Sequence, residues 1–157
     1  MNYSCKNEKD TDNPFFAEYQ TPFQVPPFDK IDTTHYMPAF IEGMKQQMQE
    51  IEAIVNNTAD ADFENTILAY DKSGQMLSRV SRVFFNMNSA NTNEQIQALA
   101  RELSPMLSKH RDDIAMNEKL FQKIKAVYEK RNESNLDSSP IRVVEKYYRD
   151  FERNGAN

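Results

Sequence analysis

FENTILAYDKSGQMLSRVSRVFFNMNSANTNE, residues 63–94, is the stretch that decides the fold class. Its apolar side chains at Ile67, Tyr70, Leu77 and Phe84, with Val80, Val83 and Met87 beside them, return every three or four residues and so lie along one stripe of a helix. A polar turn opens the stretch and an Asn/Ser-rich segment closes it, which predicts one long amphipathic helix over 63–90. Gly74 stands on the stripe where the spacing asks for a side chain. A glycine inside a helix costs roughly 1 kcal/mol relative to alanine, so another backbone is expected to approach closely there and offset the loss.

The same period continues on both sides. Upstream, Tyr36, Phe40, Met44, Met48, Ile51 and Val55 share one face and predict a helix over 34–55, with Pro38 expected in its first turn. Downstream, Thr92 and Gln95 read as a capping box for a helix over 93–116 with Ile96, Leu99, Leu103 and Met106 as its stripe. Pro105 lies deep in that helix and is expected to kink it without ending it. Asn117 is a natural cap for a helix over 118–132, whose outer side is basic. Pro140 opens a last helix over 139–154, and Gly155 is its stop. No alternating segment is long enough to be a strand, so the expected class is all-α, about five helices packed antiparallel.

Residues 14–32 combine four prolines with Phe15, Phe16, Phe23 and Phe28. Proline forbids a continuous helix and the rings favour burial, so an extended strap pinned to the helices by its rings is expected, in preference to a proline-rich ligand for a recognition module. Residues 1–13 are polar and aperiodic, a disordered leader ahead of a helical domain over 14–157. Cys5, after Ser4 and before a charged run, is placed like the mature start of some bacterial lipoproteins, although only four residues precede it and a secretory signal needs an apolar segment of about 7–15. A lipidated Cys5 would put the protein at the bacterial cell envelope or periplasm. An ordinary thiol would leave it in the cytoplasm.

The 157 residues suffice for one core. Twenty-four acids against 19 bases give a net charge of −5, with the bases scattered among acids, which argues against a nucleic-acid partner. No apolar run approaches the ~18–20 residues that cross a bilayer. A single cysteine excludes an internal disulfide. His35 and His110 are too far apart in sequence for the His-Glu-x-x-His spacing of zinc hydrolases and read as structural or surface residues. Asp112 with Asp113, and Glu50 with Glu52, read as solvated helix faces, and Cys5 has no base beside it. Three dispersed glycines, at 43, 74 and 155, make no phosphate loop. No residue is therefore assigned a catalytic, cofactor-binding or metal-binding role.

Order and spacing, beyond composition, are distinctive. NPF at 13–15, PPFDKIDTTHYMPAFIEGM at 26–44, FENTILAYDKSGQMLSRVSRVFFNM at 63–87 and LDSSPIRVVEKYYRDFERNGA at 136–156 together resemble the N-terminal region of the peptidyl-dipeptidase branch of the thimet oligopeptidase and oligopeptidase A family. HYMPAFIEGM and ENTILAYDKSG resemble that branch more than the endopeptidases. The resemblance implies a parent zinc enzyme that releases dipeptides from the C-termini of short peptides, in which two helical halves flank a deep channel. It also implies that the zinc site lies far beyond residue 157, in a catalytic domain that would be this chain's partner. The chain is then expected to be an inactive N-terminal fragment forming part of the channel wall. The alternatives are a free-standing helical module that binds protein or peptide, and an enzyme complete in 157 residues.

Overall fold

Asp32 starts the first helix. Its carboxylate accepts the Thr34 N–H at 2.8 Å and the Thr34 hydroxyl at 2.6 Å, which satisfies donors that a helix start leaves without partners. These bonds to Thr34 also hold the Asp32 carboxyl below its ordinary pKa. From there α1 runs Thr33–Asn56. Pro38 is its sixth residue, inside the helix and past the first turn where the sequence pattern put it. The missing proline N–H removes a bond to the Thr34 carbonyl, one turn after the cap at Asp32.

The computed structural model describes residues 13–133 and 136–155; the leader up to residue 12, with Cys5, lies outside them. After α1 come a π-helical segment, Phe63–Leu68, and then α2 at Ala69–Asp71, α3 at Gln75–Ala90, α4 at Glu94–Ala115, α5 at Glu118–Glu129 and α6 at Ser138–Arg153. Among the described residues there is no strand, and the class is all-α. No described helix is long and apolar enough to cross a membrane.

The single helix expected over 63–90 is in fact two. Asp62 and Asn65 cap its start reciprocally, Asp62 accepting the Asn65 N–H at 2.7 Å and Asn65 accepting the Asp62 N–H at 3.1 Å. The helix then stops at a turn over Lys72–Gly74, where Gly74 takes φ +70°, and restarts at Gln75. A glycine in the left-handed region is the usual way a helix ends. The apolar stripe hid the stop because both helices carry apolar residues in the same rhythm. Gly74 is buried, but a Cβ there would overlap the Gln47 side chain and not a backbone. Close backbone approach occurs instead at Gly43, where a Cβ would stand 3.0 Å from the Leu77 Cα and 3.1 Å from its N.

Two smaller boundaries also move. Asn93, and not Thr92, caps α4: its side chain accepts the Ile96 N–H at 2.9 Å, while the Thr92 hydroxyl donates back to Asn88. Helix α4 continues through Pro105 to Ala115. Asn117 caps α5, accepting the Leu120 N–H at 3.0 Å, and Gly155 at φ +80° follows α6.

By its contacts the described part of the chain divides into two units, one combining residues 13–44 with Gln75–Ser104, the other Lys45–Gly74 with the described residues from Pro105 onward. In the first unit, Phe15, Tyr36, Phe40 and Phe84 are buried and their rings meet in sequence: Phe15 against Tyr36 at 5.4 Å, Tyr36 against Phe84 at 5.1 Å and Phe40 against Phe84 at 5.5 Å. Val80, Val83, Ile96 and Leu103 are buried in the same unit. In the second, Ile51, Ile54, Ile67, Ile114, Leu120, Phe121, Ile124, Val127, Val144 and Phe151 form one continuous cluster.

The strap belongs to the first unit and is only partly as expected. Asn13, placed in the leader by its composition, is buried; it caps the turn Pro14–Phe16 and donates to the His35 carbonyl at 2.9 Å. Phe15 is fully buried, whereas Phe16, Phe23 and Phe28 are exposed. One ring pins the strap where four were expected. Polar contacts do the rest: the Arg79 guanidinium donates to the Phe15 carbonyl at 2.7 Å and lies 5.2 Å from the centre of the Tyr19 ring.

Candidate functional site

The second unit builds a polar group around the turn at Gly74. Helix α1 contributes Gln47 and Glu50, one turn apart on the same face; α4 contributes His110; the turn contributes Ser73 and the Gly74 N–H. The Glu50 carboxylate accepts the Gly74 N–H at 2.7 Å. Gln47 donates to the Ser73 hydroxyl at 3.4 Å, and Ser73 donates to the Tyr70 carbonyl at 2.8 Å, which also accepts the Ser73 N–H at 3.0 Å. Gln47 also shares a 2.8 Å bond with His110 Nε2. With the Gln47 amide donating to Ser73, its oxygen is the acceptor, so His110 carries its proton on Nε2. Burial pushes the His110 pKa down, against a smaller upward pull from Asp113.

Serine, glutamine and histidine in a row do not make a nucleophile. The imidazole is separated from the serine by an amide that neither takes nor gives up a proton at neutral pH, and the hydroxyl is turned to a carbonyl. The group instead holds the turn that ends α2. Beside it a cleft of about 420 Å³ is lined by Glu50, Ile54, Asn57, Asn65, Lys72 and Ser73. A second, of about 440 Å³, has an apolar floor of Phe63, Val127 and Leu136 with Asp62, Glu64 and Lys130 at its edge.

His35 lies in the first unit, in the first turn of α1, where its Nδ1 accepts the Asp32 N–H at 3.0 Å. His110 is in the second, in the lock just described. Asp113 pairs with Lys109 at 2.6 Å along an exposed helix face, and Asp112 is exposed beside it. Glu50 and Glu52 are both exposed, as the sequence reading has them, and Glu50 in addition anchors the turn. Cys5 lies outside the described residues. Among the described residues no group of three His, Cys, Asp or Glu side chains is arranged to hold a metal ion. Gln47 and Ser73 escaped the sequence pattern because neither breaks a stripe; the one signal for them was Gly74, read as a packing glycine when it is a turn glycine.

A ring ladder fills the side of the same unit. Tyr128 stacks on Tyr148 at 4.0 Å, Phe121 on Tyr148 at 5.8 Å and on Phe151 at 6.3 Å, and Tyr70 meets Phe151 and Tyr147 edge-on. Arg131 covers the outer face of Tyr128 at 3.8 Å. Tyr147 donates to Asp71; burial, and then that bond, push its phenol well above the ordinary range. Such a phenol keeps its proton and serves as a strut from α6 to α2.

No family profile matches the chain. It is 44% identical over 146 residues, 93% of its length, to the dipeptidyl carboxypeptidase of Escherichia coli, and 43% identical over 92% to that of Salmonella typhimurium. To the oligopeptidase A of Escherichia coli it is 24% identical over 86% of its length. In each of these proteins the match spans only about a fifth of the full length.

Proposed function

We propose that this chain, which by sequence belongs to the dipeptidyl carboxypeptidase and oligopeptidase A family, is a noncatalytic helical part of a longer peptidase that releases dipeptides from the C-termini of short peptides. The observation that carries this is the identity of 43–44% sustained over 92–93% of the chain, alongside relatives about five times as long as the matched stretch. Within the longer enzyme these helices form one wall of the substrate channel. The parent enzyme is a zinc peptidase, and its metal is held elsewhere. Among the described residues the donor set does not fit zinc: both histidines are engaged in helix-start and turn-locking bonds, and no group of three His, Cys, Asp or Glu side chains converges.

The turn at Gly74 supports a scaffolding role: Glu50 and Ser73 hold its backbone, and His110 is bonded to the Gln47 side chain beside it. The test pairs two measurements. Mass spectrometry of the native gene product reads its size, expected to be several times the 18.3 kDa of this chain. Cleavage of a blocked tripeptide to a dipeptide reads activity, expected from the longer product and abolished by a chelator. A native product of 18.3 kDa would refute the reading.

A further inference from the structure

Phe23 is completely exposed and sits at φ 57°, ψ 18°, and Gln24 follows at φ 55°. The turn is closed by the Gln24 N–H donating to the Thr21 carbonyl at 3.0 Å and the Val25 N–H to the Pro22 carbonyl at 3.4 Å, and the Thr21 hydroxyl donates to the Val25 carbonyl. Two left-handed residues in succession make a mirror-image turn that glycine and asparagine favour. A bulky aromatic residue there is strained, and strain persists where something else over-determines it. Among the described residues nothing rewards the ring, which is fully exposed.

The segment that carries Phe23 is nevertheless held in place, by buried Asn13 and Phe15 and by Arg79 on the Phe15 carbonyl. Phe16, Val25 and Phe28 are exposed along the same strap, at 38%, 48% and 51%, and Glu18 is the one charged residue between 13 and 28. Of the large exposed hydrophobics among the described residues, all but Met116 fall in the first unit. A held aromatic strap whose one charge between 13 and 28 is acidic suits an apolar partner surface better than an anion or nucleic acid.

We propose that Phe23 is an anchor that inserts into an apolar pocket on the remainder of the longer peptidase polypeptide, with Phe16, Val25 and Phe28 closing the contact around it. The proposal rests on the peptidase reading above. The occupant is argued from length: the curated relatives extend to about five times the matched stretch, so most of each relative lies outside the region this chain represents. The strained turn is then a pre-organised hook whose cost is offset when the ring is buried.

The experiment places a reporter thiol at the strap, Val25→Cys, in the native longer polypeptide and follows maleimide labelling at residue 25 by peptide mapping. Labelling is expected to be at least about tenfold slower than in urea-unfolded protein, and a second change, Phe23→Gly, which relaxes the turn and removes the ring, should return most of that rate. In the 157-residue chain Phe23→Gly should raise Tm by about 2–4 °C. Equal rates in native and unfolded protein would overturn the docking while leaving the peptidase reading intact. Protection that survives Phe23→Gly would overturn the anchor, and protection that fades on dilution would assign the surface to a second copy and overturn it too. A native product of 18.3 kDa would remove both the proposal and the reading beneath it.

Discussion

Aromatic side chains are used differently in the two units. In the second, rings from α5 and α6 and from Tyr70 stack face to face or meet edge-on in an unbroken ladder, and two of them, Phe121 and Phe151, belong to a cluster of ten buried residues. In the first, Phe15, Phe40 and Phe84 are wholly buried, while Phe16, Phe23, Phe28 and Phe85 face outward. The same residue type therefore holds one unit together and, in the other, divides between core and surface. A chain that exposes apolar rings from a well-fixed strap has specialised that surface for contact.

Core truncations give the largest effects and show whether both units depend on their rings. Phe84→Ala removes a side chain that three rings touch and should cost about 3–5 kcal/mol, read by urea unfolding. Phe151→Ala in the second unit should cost a similar amount. If one is severe and the other mild, the two cores are unequal and the comparison breaks. Glycine substitutions come next and separate two mechanisms. Gly43→Ala presses a methyl onto the Leu77 backbone, an overpacking of about 1–3 kcal/mol. Gly74→Ala forces alanine into the left-handed region and against Gln47, and should cost about 2 kcal/mol. Shortening Gln47 to Ala should recover part of the Gly74→Ala loss and none of the Gly43→Ala loss.

A pH effect belongs to the second unit. The pKa of buried His110 is lowered, so the unfolded chain binds this proton more readily than the folded one. Its contribution is fully present above the ordinary value of 6.5 and is lost as pH falls through the lowered, folded value. Thermal unfolding between pH 7 and pH 5 should show that loss, and His110→Gln, which keeps a partner for Gln47, should flatten it. The smallest effect is at a cap: Asn117→Ala should cost about 1 kcal/mol, confined to the start of α5.

Much of this architecture is written in side-chain period, and the parts that are not have a common cause. The stripes of α1, α3 and α4 report which face each helix buries, and Asn117 and Gly155 punctuate α5 and α6 in the ordinary way. Period is blind to backbone conformation, which is why the turn at Gly74 passed for helix interior and the close approach was sought there and not at Gly43. It is equally blind to which rings of a strap find a pocket: Phe15 and Phe23 look alike in sequence and lie at opposite limits of burial. The turn lock of Gln47, Ser73 and His110 depends on residues drawn from three segments, which no local pattern joins.

The central claim is that this chain supplies structure and no peptide-bond chemistry. Purified 157-residue chain, incubated with a blocked tripeptide with and without added zinc, tests it most directly. The account predicts no dipeptide release under either condition, whereas turnover that requires zinc and stops with a chelator would contradict it.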